Sequence, residues 1–120
     1  MNANIKKIWL KALRSGEYEQ TTTRLCRPRS DGVGFCCLGV LCDLYTIETD
    51  LGEFEDHSSD VARESFMYRC DSGQRAVTYL PEEIADWSGL DLDEQTVLAK
   101  KNDCKGFSFD QIADYVEEQL

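Results

Sequence analysis

Residues 35–45, Phe-Cys-Cys-Leu-Gly-Val-Leu-Cys-Asp-Leu-Tyr, are apolar on nearly every side of any regular conformation. Eleven residues would make a long strand, whereas a helix that is apolar all round belongs in the middle of a core. The segment therefore predicts a buried central helix around which the rest must pack. Gly39 costs such a helix about 1 kcal/mol relative to alanine. That cost is tolerable where another part of the chain has to approach the helix closely. The chain has 120 residues, 42% hydrophobic and 10% aromatic, which suits one domain with a core of its own and excludes the disordered class.

The flanking segments supply the packing partners. Asn4 can cap a first helix in which Ile5, Ile8, Trp9, Ala12 and Leu13 recur at three- and four-residue spacing. Lys7, Lys11 and Arg14 then share the opposite face, and Ser15-Gly16 ends the helix. Thr22–Cys26 and Val33–Cys36, on either side of turn residues, read as a short hairpin. The acidic residues 48–60 read as a solvated loop. A second hairpin over 65–70 and 75–79 turns at Asp71-Ser72-Gly73. Leu80-Pro81-Glu82-Glu83 opens a helix with proline at its first position, which stops near Gly89. Asp91 or Asp93 caps another, and Ser108-Phe-Asp-Gln111 is a capping box for the last, with Ile112, Ala113, Tyr115 and Val116 inward. The expected class is α+β: a small single domain, about four helices around the buried central one, with one or two short β-hairpins.

Charge is divided unevenly along the chain. Residues 1–29 carry seven basic against two acidic side chains, and residues 30–120 carry six against twenty-one, within a formal net charge of −10. Such polarity steers partners and repels nucleic acid from the acidic part; the plainer reading is that the basic end pairs with the acidic remainder inside the fold. Lys7, Lys11, Arg14, Arg24, Arg27 and Arg29 form the candidate binding surface. A nucleic-acid site would also need exposed aromatic side chains or a helix offered to a groove, and Trp9 is assigned to the core. An acidic surface imitating DNA would need carboxylates spaced like phosphates.

Motifs for chemistry are sparse. No C-x-x-C pair occurs, and His57 is the single histidine, so a zinc site would have to be gathered from Cys26, Cys36, Cys37 and Cys42. Asp91-Leu-Asp93-Glu-Gln95 begins like a calcium loop, but Thr96 stands where the glycine bend is needed. Neither a G-x-G-x-x-G nor a Walker-type glycine loop is present. Cys36 or Cys37 at the start of the central helix would gain thiolate character from the helix N-terminus, with His57 as base and Asp56 or Asp60 as its acid. Thiols that simply pack are the default, because reduced cysteine behaves as a small buried hydrophobe. No metal or cofactor is expected. No stretch approaches the roughly 18 apolar residues of a membrane span, and no secretory leader is evident, so the expected location is cytoplasmic.

Four segments occur in a recognisable order: Trp9-Leu-Lys-Ala-Leu-Arg-Ser-Gly-Glu-Tyr18, Phe35-Cys-Cys-Leu-Gly-Val-Leu-Cys-Asp-Leu44, Leu80-Pro81 with Trp87-Ser-Gly-Leu90, and Phe107-Ser-Phe-Asp-Gln-Ile-Ala-Asp-Tyr-Val116. In this the chain resembles a family of small uncharacterised proteins of tailed bacteriophages, cyanophages among them, and of prophages. The likeness spans most of the chain except residues 46–64. It departs at Lys101-Asn-Asp103, where the family has Leu-Asn-Asp, and at Cys104-Lys105 before Gly106. No catalytic residue carries over. The resemblance implies a setting: an accessory protein acting inside an infected bacterium, in host takeover or counter-defence. The expected function is non-enzymatic binding of a host macromolecule, a protein foremost. The alternative is a nucleotide or other small ligand gripped by Arg24, Arg27 and Arg29, with cysteine catalysis behind it.

Overall fold

A computed structural model describes residues 1–29, 32–56 and 66–120, with the side chains of Pro28, Arg29, Asp56 and Phe66 left aside. The order of elements is α1 (Ala3–Arg14), β1 (Cys26–Arg29), β2 (Gly32–Phe35), α2 (Cys37–Thr49), β3 (Glu53–Asp56), β4 (Phe66–Arg69), β5 (Arg75–Ala76), α3 (Glu82–Ser88), α4 (Leu92–Asp103) and α5 (Phe109–Gln119). The architecture is α+β, with five helices and two small antiparallel sheets among the described residues. One sheet is the β1–β2 hairpin and the other has the order β3-β4-β5.

Helix α2 is the centre. Eight of its residues, from Cys37 to Cys42 together with Leu44 and Tyr45, are buried, and α1, α3 and α4 all pack against it. Gly39 has the role its sequence position suggested. A Cβ there would lie 1.7 Å from the carbonyl oxygen of Leu25, so the 21–26 segment crosses the helix at backbone contact. The helix runs past Tyr45 to Thr49, where Asp50 takes a left-handed conformation and closes the last turn through its N–H to Thr46.

Several local expectations shift. Asn2, not Asn4, caps α1: its Oδ1 accepts from the N–H groups of Asn4 and Ile5 at 2.9 and 3.1 Å. Pro81 occupies the cap position of α3 rather than its first turn. The first hairpin begins later than Thr22, because the backbone donors of Thr23 and Leu25 are committed elsewhere. Thr23 has φ 69° and donates to the Asp103 carboxylate at 2.8 Å, while Leu25 donates to the Val77 carbonyl. That last bond also diverts residue 77, so β5 is only two residues long. Cys36 leaves the β2 ladder and becomes the cap of α2.

Part of the expected acidic loop is a strand. In β3, Phe54 packs edge-on against Tyr68, while the neighbouring carboxylates are neutralised across the ladder. Glu53 and Glu55 meet Arg69, and Glu55 meets Arg75 at 3.0 Å. Cross-strand pairs of opposite charge supply what the acidic composition alone would lack. His57 and Asp60 lie outside the described residues.

Buried polar groups tie the elements together. Asn102, 2% exposed, accepts from the Gln20 amide at 2.9 Å and the Cys37 N–H at 3.3 Å, and donates to the Thr21 carbonyl at 2.8 Å. Trp9, fully buried, donates its indole N–H to the Cys37 carbonyl at 3.0 Å. Gln95 accepts from the Leu80 N–H at 2.9 Å. Because unpaired polar groups in a core cost about 1–3 kcal/mol each, these three side chains fix where α1, α2, α4 and the irregular segments meet.

Candidate binding surface

Helix α1 buries Trp9 and Leu13 and leaves its cations outside. It packs against α5: Lys6 donates to the Glu117 carbonyl at 3.1 Å, and Arg14 reaches Asp114 and Glu117 at 2.9 and 2.8 Å. On the outer side, Ala3, Lys6, Lys7, Leu10, Lys11 and Arg14 line an open groove of about 490 Å³, with Glu117 on its wall. The Arg14 guanidinium is held further toward its charged form by those two carboxylates. Lys7 and Lys11 are exposed, and no ion pair joins either to any described residue.

The six cations singled out from the sequence therefore separate into two groups. Lys7, Lys11 and Arg14 share the groove. Arg24 and Arg27 are exposed on the segment entering β1 and on β1 itself, and neither lines the groove. Arg27 comes no closer than 3.5 Å to the Thr22 carbonyl and the Thr23 hydroxyl. Arg29 lies in β1, its side chain outside what is described. Lys6, Leu10 and Glu117 are groove residues that the sequence reading left out. The i, i+4 spacing from Lys6 to Leu10 was available as a signal, whereas Glu117 joins only through tertiary packing.

A second, smaller cavity of about 220 Å³ lies at the end of α1, lined by Tyr18, Gln20, Ser108 and Asp110 among others. Tyr18, Gln20 and Ser108 are already engaged. The Tyr18 hydroxyl donates to Asp43, Gln20 donates to Asn102 and to the Phe107 carbonyl, and Ser108 caps α5. Burial first, then the bond to Asp43, pushes the Tyr18 phenol well above its ordinary value. These bonds hold the cavity's own residues in place.

The thiols of α2 point into the core. Cys36 is 6% exposed and Cys37 fully buried. Cys36 Sγ accepts from the Gly39 N–H at 3.4 Å as the helix cap. That contact favours the thiolate, but burial outweighs it and the thiol is pushed up to about 11. Burial likewise holds Cys37 well above the ordinary value, and its Sγ sits 3.9 Å from the Leu98 carbonyl. Burial thus works against the activation that a helix N-terminus would give and agrees with thiols that simply pack. Cys26, Cys42 and Cys70 are also buried, and Cys104 is exposed. Among the described residues, no group of three or more His, Cys, Asp or Glu side chains converges as a metal site, and no helix is long and apolar enough to cross a membrane.

What the fold and its surface define is a small α+β body of acidic character with one cationic groove along its first helix. The chain belongs to the family described as a domain of unknown function, DUF8296, whose model matches residues 1–120. Comparison with curated proteins gives no match, and neither does comparison with solved structures.

Proposed function

We propose that this chain is a non-enzymatic accessory protein of tailed bacteriophages that binds a protein of the bacterial host through the cationic face of α1. The observation that carries this reading is the state of Lys7 and Lys11. They stand exposed and unpaired in one groove on a chain whose net charge is −10. Had both been neutralised inside the fold, the polarity of the sequence would have been an internal matter. Among the described residues, only Arg14 of the three is spent that way.

Charge arrangement of this kind selects partners and orientation more than it supplies raw affinity. The acidic remainder acts as a filter, disfavouring polyanions that extend beyond the groove. The test is a pull-down from bacterial lysate at physiological salt with the wild-type chain and with the double variant Lys7→Glu/Lys11→Glu. A protein retained by the wild type and lost by the variant is the expected result. Absence of any retained protein, or equal retention by both chains, contradicts the proposal.

A further inference from the structure

Resting on that reading, we infer that the groove on α1 receives an acidic amphipathic helix of the partner, laid along α1. Ala3, Lys7, Leu10 and Arg14 recur at spacings of four, three and four residues, so they form one stripe about 17 Å long at 1.5 Å per residue. Apolar and cationic side chains alternate along it. Leu10 is partly buried and floors the groove, and the free ammonium groups of Lys7 and Lys11 stand beside it. A helix three turns long has the matching length, and its own three- and four-residue periodicity lets one apolar side chain meet Leu10 while flanking carboxylates meet the lysines.

Other occupants fit the groove less well. A nucleic-acid duplex is a continuous polyanion much longer than the stripe. Beyond the groove it would meet Asp114 of α5, then a body in which acids outnumber bases by twenty-one to six over residues 30–120. Phosphate contacts that dominate such binding would be offset by that repulsion. A nucleotide or other small anion would gain little enclosure, since ligand sites of that class bury most of the ligand surface and this groove is open. A short acidic helix ends where the stripe ends, and the one carboxylate on the groove's wall, Glu117, is already paired with Arg14.

The experiment records backbone amide NMR shifts of the full chain while adding a synthetic helix of about 18 residues, with Leu at heptad spacing and Glu three and four residues from each. A scrambled peptide of the same composition, a charge-reversed peptide, ATP and a short DNA duplex are added in parallel. The expected result is saturable shifts confined to Ala3–Arg14 and the neighbourhood of Glu117. They should be at least about tenfold weaker for the scrambled peptide and abolished by Lys7→Glu/Lys11→Glu. Equal binding of scrambled and patterned peptides overturns the helix while leaving a cationic docking face intact. Shifts on α1 from ATP or DNA but from neither acidic peptide overturn both the helix and the protein partner, and no shifts on α1 from any probe do the same.

Discussion

The carbonyl oxygen of Leu25 occupies the place where a side chain of residue 39 would begin, 1.7 Å from the position of a Cβ. In an exposed helix, replacing glycine by alanine stabilises by up to about 1 kcal/mol. Here Gly39→Ala must push the 21–26 segment off α2 and stretch the Cys36 N–H bond to the Leu25 carbonyl, now 3.2 Å. The variant is expected to lose about 3 kcal/mol or more, in the range of severe overpacking. Urea unfolding followed by circular dichroism reads it. A variant as stable as the parent would mean that the crossing is not tight.

Asn102 provides a second test of the same junction. Leucine has the same branching and the same number of side-chain heavy atoms but can neither accept from Gln20 and Cys37 nor donate to Thr21. Asn102→Leu takes these bonds from the Cys37 N–H and the Thr21 carbonyl and is expected to cost about 3 kcal/mol. Its thermal midpoint should fall accordingly, and Asn102→Asp should fall further because a carboxylate would be buried there. A midpoint unchanged by Asn102→Leu would show that the amide holds nothing together.

Thiol chemistry gives a prediction with a defined pH window. Burial lifts Cys36 from an ordinary value of 9.0 to about 11. Above the lower value the unfolded chain releases a proton that the folded chain keeps, so the unfolded state binds fewer protons and stability declines as pH rises. Stability from this group is whole below pH 9 and is lost progressively between about 9 and 11, with buried Cys37 and Cys42 acting in the same direction. Denaturant midpoints across that range should fall, and Cys36→Ser/Cys37→Ala should flatten the decline. At neutral pH a thiol reagent should modify only Cys104 in the native chain, the exposed cysteine. Rapid modification of Cys36 would contradict the packing described here.

Much of this fold was legible because its signals are local. The all-round apolar segment located α2, the cap at Asp91 or Asp93 and the Ser108 capping box located α4 and α5, and the periodicity of α1 separated Trp9 from Lys7 and Lys11. What escaped depends on partners far along the chain. β3 was hidden because Glu53 and Glu55 look solvated until Arg69 and Arg75 stand opposite them. The delayed start of β1 depends on Asp103 and Val77. For the binding surface, helix spacing brought Lys7, Lys11 and Arg14 together, but nothing local announced that Arg14 would be spent on α5 while the two lysines stayed free. Cys36 and Cys37 are the packed thiols that their apolar surroundings suggested, although their depth of burial is a property of the packed chain.

The docking face is most directly tested by chemical footprinting of lysines. The native chain is acetylated in buffer and again with bacterial extract, and modification at each lysine is quantified by mass spectrometry. Lys7 and Lys11 should lose reactivity in the extract, while Lys100 and Lys105, exposed elsewhere, keep theirs. Protection of Lys100 and Lys105 with Lys7 and Lys11 still open, or no protection at all, would contradict binding through α1.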